Sequence, residues 1–112
     1  MKSYKIREYS SGAASTPFRI WLDSLDVRTK ARVQARILRF ENGNLGDWKM
    51  VGAGVHEARL NFGSGYRVYF GIDGSILIIL LIGGDKASQR QDIVTAKEFW
   101  SDYRRSQNDK AK

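Results

Sequence analysis

The chain has 112 residues, a formal net charge of +7 and no cysteine. One domain usually holds roughly 100–200 residues, so the length predicts a single domain with one core. The lack of cysteine excludes disulfides and thiolate metal sites, and with one histidine we expect neither a metal nor a cofactor. The positive charge predicts attraction to an anionic partner, such as nucleic acid, an acidic membrane surface or an acidic protein.

The first segment is predicted to contain a strand and a short helix. Residues 4–9 alternate and carry aromatic and β-branched side chains, which is typical of a strand. Thr16 suits an N-cap and Pro17 suits the first helical position, so a helix is predicted from there to about Leu25.

A second helix is predicted from about Asp26, its cap, to Asn42. At about 100° per residue, its basic side chains fall within one arc: Arg28, Arg32, Arg36 and Arg39. We expect Arg32 and Arg36 to contact RNA, although a basic helix face is more often only solvated. The glycine-rich segment 44–54 is predicted to be a loop.

Three strands with tight turns between them are predicted next, over residues 55–62, 66–72 and 75–82. The first turn is the Gly-Ser-Gly of residues 63–65. The second is Asp73-Gly74, a strong two-residue hairpin pattern.

A last helix is predicted to start after its cap Ser88 and to end near Arg104, which leaves residues 105–112 as a polar, flexible tail. The order β-α-α-β-β-β-α defines a small α+β domain over residues 1–104. Its sheet is predicted to be an antiparallel meander joined by the N-terminal strand, with the helices packed on one face.

The two turns also predict which strand residues share a face. A three-residue first turn places Arg59 opposite Tyr69, and a two-residue second turn pairs Phe70 with Leu77. One face then holds the core: Ala58, Leu60, Val68, Phe70, Ile72, Leu77, Ile79 and Leu81. The other face holds Glu57, Arg59, Asn61, Arg67 and Tyr69, together with Ile76, Ile78 and Leu80. The last helix or a bound partner is expected to cover those three apolar residues.

Three cations are predicted to meet at one end of this sheet. The third strand ends beside the start of the second, so Lys86 should emerge near Arg67 and the 63–65 turn. Arg59 lies on the same face, roughly 7 Å along the strand. Arginine binds phosphate oxygens through its planar fork and stays charged, so the cluster suits a phosphate ester.

Each of these residues also has a simpler interpretation. Arg67 could be an exposed arginine on a solvated face. Arg59 could make only a cross-strand contact with Tyr69. Lys86 could serve only in capping or in a surface pair with Asp85.

Four other polar residues have open roles. His56 is the one histidine, and the register places it on the core side, where a structural role is favoured over acid–base catalysis. Glu57 could be a general base or, more simply, a salt-bridge partner. Gln89 and Arg90 begin the last helix, where free N–H groups favour anions, so both are candidate RNA contacts beside Tyr69.

Three motifs together carry a resemblance to a known family: GVHEARL at 54–60, GYRVYF at 65–70 and LLIGGDK at 80–86, followed by Gln89, Asp92, Ile93 and Ala96. The chain resembles the RelE/ParE superfamily of type II toxin–antitoxin toxins, in its HigB-like branch of addiction-module killer or phage-derived host-killing proteins. The resemblance covers nearly the whole chain.

The resemblance implies a ribosome-dependent, metal-independent endoribonuclease that cuts mRNA and inhibits translation. It implies that Arg67 contacts the scissile phosphate and that Arg59 and Lys86 are the other catalytic cations. Relatives also use a C-terminal tyrosine or histidine, which has no clear counterpart here. A cognate antitoxin with a helix-turn-helix DNA-binding domain is the implied protein partner.

Two other functions fit the same pattern. A toxin of this superfamily that poisons DNA gyrase is one, although such members generally lack the catalytic cations. A non-catalytic module that only binds RNA or a partner is the other. The N-terminus has no apolar run of signal-peptide type, and no segment is long and apolar enough to span a bilayer, so a cytoplasmic protein without membrane contact is expected.

Overall fold

The structure, a computed structural model, describes residues 2–12 and 16–110. Its elements in chain order are β1 (Lys5–Glu8), α1 (Pro17–Asp23), α2 (Val27–Glu41), β2 (Trp48–Gly52), β3 (Val55–Leu60), β4 (Tyr66–Asp73), β5 (Leu77–Gly84) and α3 (Gln89–Lys110). The strands form one sheet in the order β1-β5-β4-β3-β2. β1 runs parallel to β5, and the other neighbours are antiparallel. The predicted α+β class is confirmed.

The helix starts are those that the capping residues predict. The Thr16 hydroxyl accepts a hydrogen bond from the Arg19 N–H at 3.2 Å, with Pro17 at the first helical position. The Asp26 carboxylate accepts one from the Thr29 N–H, also at 3.2 Å. Each cap satisfies an N–H group that has no partner within its helix.

The C-terminal helix is longer than predicted. It continues from Arg104 through Lys110, so most of the predicted flexible tail is helical, and residues 111–112 lie outside the described part of the chain. The polar composition of this segment reflects an exposed helix face rather than a loss of structure.

The segment 44–54 is not the simple loop that its glycines suggested, because it contains β2. This strand pairs with β3, with Trp48 opposite Ala58 and Lys49 opposite Glu57. The chain reverses through Gly52, Ala53 and Gly54, which have positive φ angles of 103°, 55° and 83°. The glycines therefore form a tight turn after a strand, where left-handed backbone is required.

The first hairpin has a longer loop than predicted. Leu60 pairs with Tyr66, so residues 61–65 form the loop and the register moves by two positions. A shift of two keeps every side chain on its face. It does change the cross-strand neighbours: Arg59 lies opposite Arg67, and Tyr69 lies opposite Glu57 rather than Arg59.

The observed second hairpin places the side chains of β5 on the faces of the sheet opposite to those predicted. Asp73 pairs with Leu77, so the loop holds residues 74–76 instead of two residues. An odd change of register moves each side chain to the opposite face. Accordingly Ile78 and Leu80 pack with Phe70, whereas Ile79 and Leu81 pack with Tyr69. The predicted single core face was wrong for this strand.

Helices cover both faces of the sheet, not one face as predicted. The core on the first face combines α1 and α2 with the strands: Phe18, Leu22, Val33, Phe40, Ala58, Leu60, Val68, Phe70, Ile78 and Leu80. The core on the second face is built with α3: Tyr9, Val55, Tyr69, Ile79, Leu81, Ala96 and Trp100. β5 lies between both layers, which is why it is apolar throughout.

This arrangement removes the need for a partner to cover the apolar residues of β5. Ile78 is fully buried and Leu80 is 2% exposed beneath the helices of the first face. Ile76 lies in the second hairpin loop and is 45% exposed. Among the described residues, no helix is both long and apolar enough to cross a membrane.

Two consecutive glycines at the end of β5 let both helical layers approach the sheet. A Cβ on Gly83 would lie 2.2 Å from the Trp21 ring of α1. A Cβ on Gly84 would lie 1.8 Å from the Asp92 carboxylate of α3. A β-bulge between Tyr69 and Phe70 sets this end of β5 one residue out of step with the rest of the strand.

Gly83→Ala should destabilise the fold by about 1–3 kcal/mol, the usual range for overpacking a core. The added methyl group collides with the six-membered ring of Trp21. Urea unfolding of Gly83→Ala, Trp21→Leu and the double variant measures the effect. Because Trp21→Leu removes the obstructing ring, the alanine should cost clearly less in that background. Equal costs in both backgrounds would show that the glycine is needed for another reason.

Candidate functional site

A buried carboxylate organises the polar end of the sheet on the α3 side. Glu57 of β3 has no solvent exposure. Its oxygens accept hydrogen bonds from Arg59 Nε at 3.0 Å, Tyr69 Oη at 3.1 Å and Gln89 Nε2 at 2.9 Å. Arg67 Nε lies 3.6 Å away. Side chains from β3, β4 and α3 therefore meet on one anion. We call this group, with Lys49 and Lys86 beside it, the Glu57 cluster.

The pKa of Glu57 follows from two opposed influences. Complete burial by itself would raise the pKa of this carboxyl group. The hydrogen bonds from Gln89, Arg59 and Tyr69, together with the charge of Arg67, outweigh burial and hold the pKa below its ordinary value. Glu57 is thus a carboxylate at neutral pH, and it holds the neighbouring cations in place.

Arg67, the residue predicted to contact the scissile phosphate, is mostly buried rather than exposed. Its side chain is 11% exposed and forms the ion pair with Glu57. Nη1 donates to the Gly65 carbonyl at 2.9 Å, while Nε is buried without a hydrogen-bond acceptor in the described residues. The guanidinium is oriented from two sides, as a preorganised phosphate ligand requires, yet it has little open surface.

Lys86 lies where the sequence predicts it, beside the first hairpin loop and near Arg67. Its main-chain N–H donates to the Ser64 carbonyl at 3.3 Å, which joins it to the first hairpin loop. Lys86 Cβ and Arg67 Nη1 lie 3.3 Å and 3.5 Å from the point where a Cβ on Gly65 would stand. Lys86 is exposed. Gly65 therefore allows the two cationic side chains to approach the same loop.

Two partly exposed cations of the cluster come from β3 and from the edge strand β2. Arg59 is on the predicted face, and its side chain is 36% exposed. Lys49 of β2 lies 4.0 Å from Glu57 with half of its side chain exposed. Lys49 was not found from the sequence, because its segment was predicted to be a loop. Its pairing with the position of Glu57 is visible only once β2 is recognised as a strand.

Tyr69 does not offer the surface that an RNA contact needs. The residue is fully buried, and its hydroxyl group donates to Glu57. Burial and the adjacent carboxylate raise the pKa of the phenol above its ordinary value. Tyr69, a predicted RNA contact, therefore has no exposed surface in this structure, and its hydroxyl group instead helps to hold the Glu57 carboxylate.

The residues at the start of α3 divide into structural and exposed ones. Gln89 uses its amide group on Glu57, whereas Arg90 is exposed. Asp85 and Ser88 exchange hydrogen bonds, because the Asp85 carboxylate accepts from the Ser88 N–H at 3.1 Å and the Ser88 hydroxyl accepts from the Asp85 N–H at 3.2 Å. Asp85 therefore serves the helix start, which leaves Lys86 free of the predicted surface pair.

The two arginines predicted on α2 have different environments. Arg32 is exposed, and its guanidinium lies 4.2 Å from the centre of the Phe62 ring. Arg36 is 6% exposed and donates four hydrogen bonds to the carbonyl groups of Leu45, Asp47 and Arg59. Arg36, a predicted RNA contact, instead uses its guanidinium group to tie the loop before β2 to the end of β3.

His56 lies on the core side of the sheet, as predicted. It pairs with Phe70, and the two rings stack with centres 5.2 Å apart, while Trp48 packs 5.3 Å away. Burial lowers the pKa of the imidazole, and Nδ1 is buried without a hydrogen-bond partner in the described residues. The structural role is therefore the one that this environment favours.

The surface around the cluster is basic and lacks a metal-binding arrangement of side chains. Within residues 2–12 and 16–110, no group of three or more histidine, cysteine, aspartate or glutamate side chains could hold a metal ion. Four clefts on the described surface are lined by residues outside the Glu57 cluster.

The fold and this site define a small α+β domain with a buried carboxylate surrounded by cations at one end of its sheet. No family model matches the chain. A Haemophilus influenzae protein, described only as an uncharacterized protein, is 48% identical over 81 residues, which cover 71% of this chain and 82% of the relative. The chain belongs to the same protein family as this Haemophilus influenzae protein.

Glu57→Gln should destabilise the protein by about 3 kcal/mol. Removal of one partner from a buried ion pair costs about 3–5 kcal/mol, and the lower end applies because Arg59 keeps contact with water. Urea unfolding at pH 7 measures the loss. Asp23→Asn is the matched control, since it breaks an exposed pair with Lys30 and should cost less than about 1 kcal/mol. A loss for Glu57→Gln no larger than the control would show that the cluster does not stabilise the fold.

His56 should make the protein less stable as the pH falls from 7 to 5. Its pKa is lowered below the ordinary 6.5 in the folded state, so the unfolded chain binds the proton first. Stability is complete above pH 6.5 and decreases below it, by less than about 1.4 kcal/mol per pH unit for one proton. Urea unfolding across this range, compared with His56→Phe, isolates the effect. A slope that is the same in both proteins would assign it to other groups.

Proposed function

We propose that this protein is the toxin of a type II toxin–antitoxin system and that it cleaves mRNA on the ribosome without a metal ion. The observation that supports this proposal most directly is the meeting of Arg59, Arg67, Lys86 and Lys49 around one end of the sheet. The RelE/ParE-like motifs contribute three of these four cations. The net charge of +7 is in keeping with a polyanionic partner.

The chemistry of metal-free RNA cleavage gives the cations a role. A base takes the proton of the 2′-hydroxyl group as its oxygen attacks the phosphorus, and an acid gives a proton to the leaving 5′-oxygen. Negative charge grows on the phosphate oxygens between these steps. Fixed donors aimed at that charge lower the barrier. The partly exposed Arg59 and the exposed Lys49 and Lys86 meet the phosphate, and Glu57 keeps Arg59 and Arg67 oriented before the substrate arrives.

The proposal carries the partners that such a toxin requires. The ribosome and its mRNA are the target, and the cytoplasm is the compartment where both are found. A cognate antitoxin, with a helix-turn-helix DNA-binding domain, blocks the toxin by binding it. Exposed Arg90 and Arg32 are further RNA contacts in this proposal, on opposite faces of the sheet.

One observation favours a second function, a non-catalytic RNA-binding module. Arg67 is mostly buried and already paired with Glu57, and Tyr69 is fully buried. A site whose central cation is neutralised by its own carboxylate has less charge left for a transition state. Such a module would bind RNA with steep salt dependence and release no cleaved product.

Lys86→Gln should lower mRNA cleavage about 100-fold, the effect of removing one donor that stabilises a transition state. The residue is exposed, so folding should be unchanged. Primer extension after induction of the protein in growing cells maps the new RNA ends, and growth is followed in parallel. Arg105→Gln is the control, because it removes the same charge from the exposed surface of α3.

Three outcomes separate the candidate functions. New RNA ends with the wild type, lost only in Lys86→Gln, support the nuclease. Growth arrest without new RNA ends, together with inhibition of gyrase supercoiling by the pure protein, would support a gyrase poison instead of a nuclease. RNA binding without cleavage or arrest would leave the binding module.

A further inference from the structure

A second basic site lies on the other face of the sheet, at the same end as the Glu57 cluster. A cleft of about 340 Å³ separates α2 from the end of β3 and the loop that follows. Its lining combines cations, an amide and apolar side chains: Arg32, Arg36, Arg39, Leu60, Asn61 and Phe62. We call it the α2 cleft. Its volume is at the lower end of the range, roughly 300–1,000 Å³, that small ligands occupy.

Three arginines line the α2 cleft, and the Asp47 carboxylate beside it accepts a hydrogen bond from Asn61 Nδ2 at 3.3 Å. Arg36 is nearly buried, and its hydrogen bonds go to neutral carbonyl groups. Arg39 and Arg32 also form no ion pair within residues 2–12 and 16–110. The exposed guanidinium groups of Arg32 and Arg39 therefore give the cleft a positive charge that an anion can meet.

The cleft also has a flat surface that suits a nucleobase. The guanidinium of Arg32 lies over the Phe62 ring at 4.2 Å, and the Phe62 and Tyr66 rings are 5.2 Å apart. Bases of single-stranded RNA stack on aromatic rings and on guanidinium planes alike. A base on the outer face of Arg32 would extend the existing stack, while its phosphate meets Arg39.

We propose that the α2 cleft is a subsite for one nucleotide of single-stranded RNA, with the base stacked on Arg32 and Phe62 and the phosphate bound by Arg39. A plain anion would need no flat surface, and an acidic peptide would gain nothing from the stack. The inference rests on the RNA-binding part of the proposed function and is independent of cleavage.

The position of the cleft connects it to the Glu57 cluster through one residue. Arg36 donates from the cleft side to the Arg59 carbonyl at 2.7 Å, while the Arg59 side chain contacts Glu57 on the other face. The loop 61–65 lies between the two sites and contacts Lys86. An RNA strand that crosses this loop would reach both sites with neighbouring nucleotides.

Fluorescence anisotropy with a labelled single-stranded RNA, measured with the pure protein and without ribosomes, tests the subsite. Arg39→Gln should weaken binding and reduce the slope of log affinity against log salt by about 0.7, the value for one contact to a single strand. Phe62→Leu should weaken binding roughly five-fold or more, the loss of one stacked base, without changing that slope. Arg105→Gln is the control for charge alone, and thermal melts check that each variant is folded.

The outcomes distinguish failure of the subsite from failure of the proposed function. If the wild type binds RNA, and Arg39→Gln and Phe62→Leu bind it no more weakly than Arg105→Gln does, the subsite proposal alone is overturned. An abasic strand of equal length that binds as tightly as the RNA also overturns it, because the base then contributes nothing. Wild type that does not bind RNA in the absence of ribosomes also overturns the subsite, whereas the nuclease proposal is decided separately by the primer-extension map.

Discussion

The polar end of this protein depends on one buried carboxylate. Glu57 is on a central strand, and the donors that satisfy it come from the same strand, the next strand and the C-terminal helix. An unpaired carboxylate could not be buried there, and neither could the Arg67 guanidinium without an anion. The pair therefore holds three elements in one arrangement, and the exposed cations Arg59 and Lys49 are positioned by the same group.

The sequence correctly predicts features that depend on local chemistry. It does not predict the strand registers, because these depend on the lengths of the loops. The caps Thr16 and Asp26 gave correct helix starts, since each satisfies an N–H group a few residues away. Asp73-Gly74 is typical of a two-residue hairpin, but the observed loop has three residues, 74–76. The side chains of β5 therefore lie on the faces opposite to those predicted. β5 is apolar on both sides, so its sequence could not reveal the error.

The locations of the candidate site residues were predicted more accurately than their burial and contacts. The meander brings Arg67 and Arg59 together in either register, because the shift of two between β3 and β4 preserves faces. Lys86 joins them because the end of β5 lies beside the start of β4, with Gly84 opposite Arg67. Burial was not predictable in the same way. Arg36 and Arg32 are one helical turn apart and look alike in sequence, yet only Arg36 finds carbonyl groups within reach. Its partners lie in a segment whose path depends on β2.

The end of β3 is fixed from both faces of the sheet, and this links the two basic regions mechanically. The Arg59 carbonyl is held by Arg36 from the α2 side, and the Arg59 side chain is held by Glu57 from the α3 side. A displacement of Arg59 at one surface must therefore strain a buried hydrogen bond beneath the other. Because buried polar groups lose more when unpaired than they gain when paired, this residue resists motion in either direction. A ligand on one face would thus meet cations already set by the other.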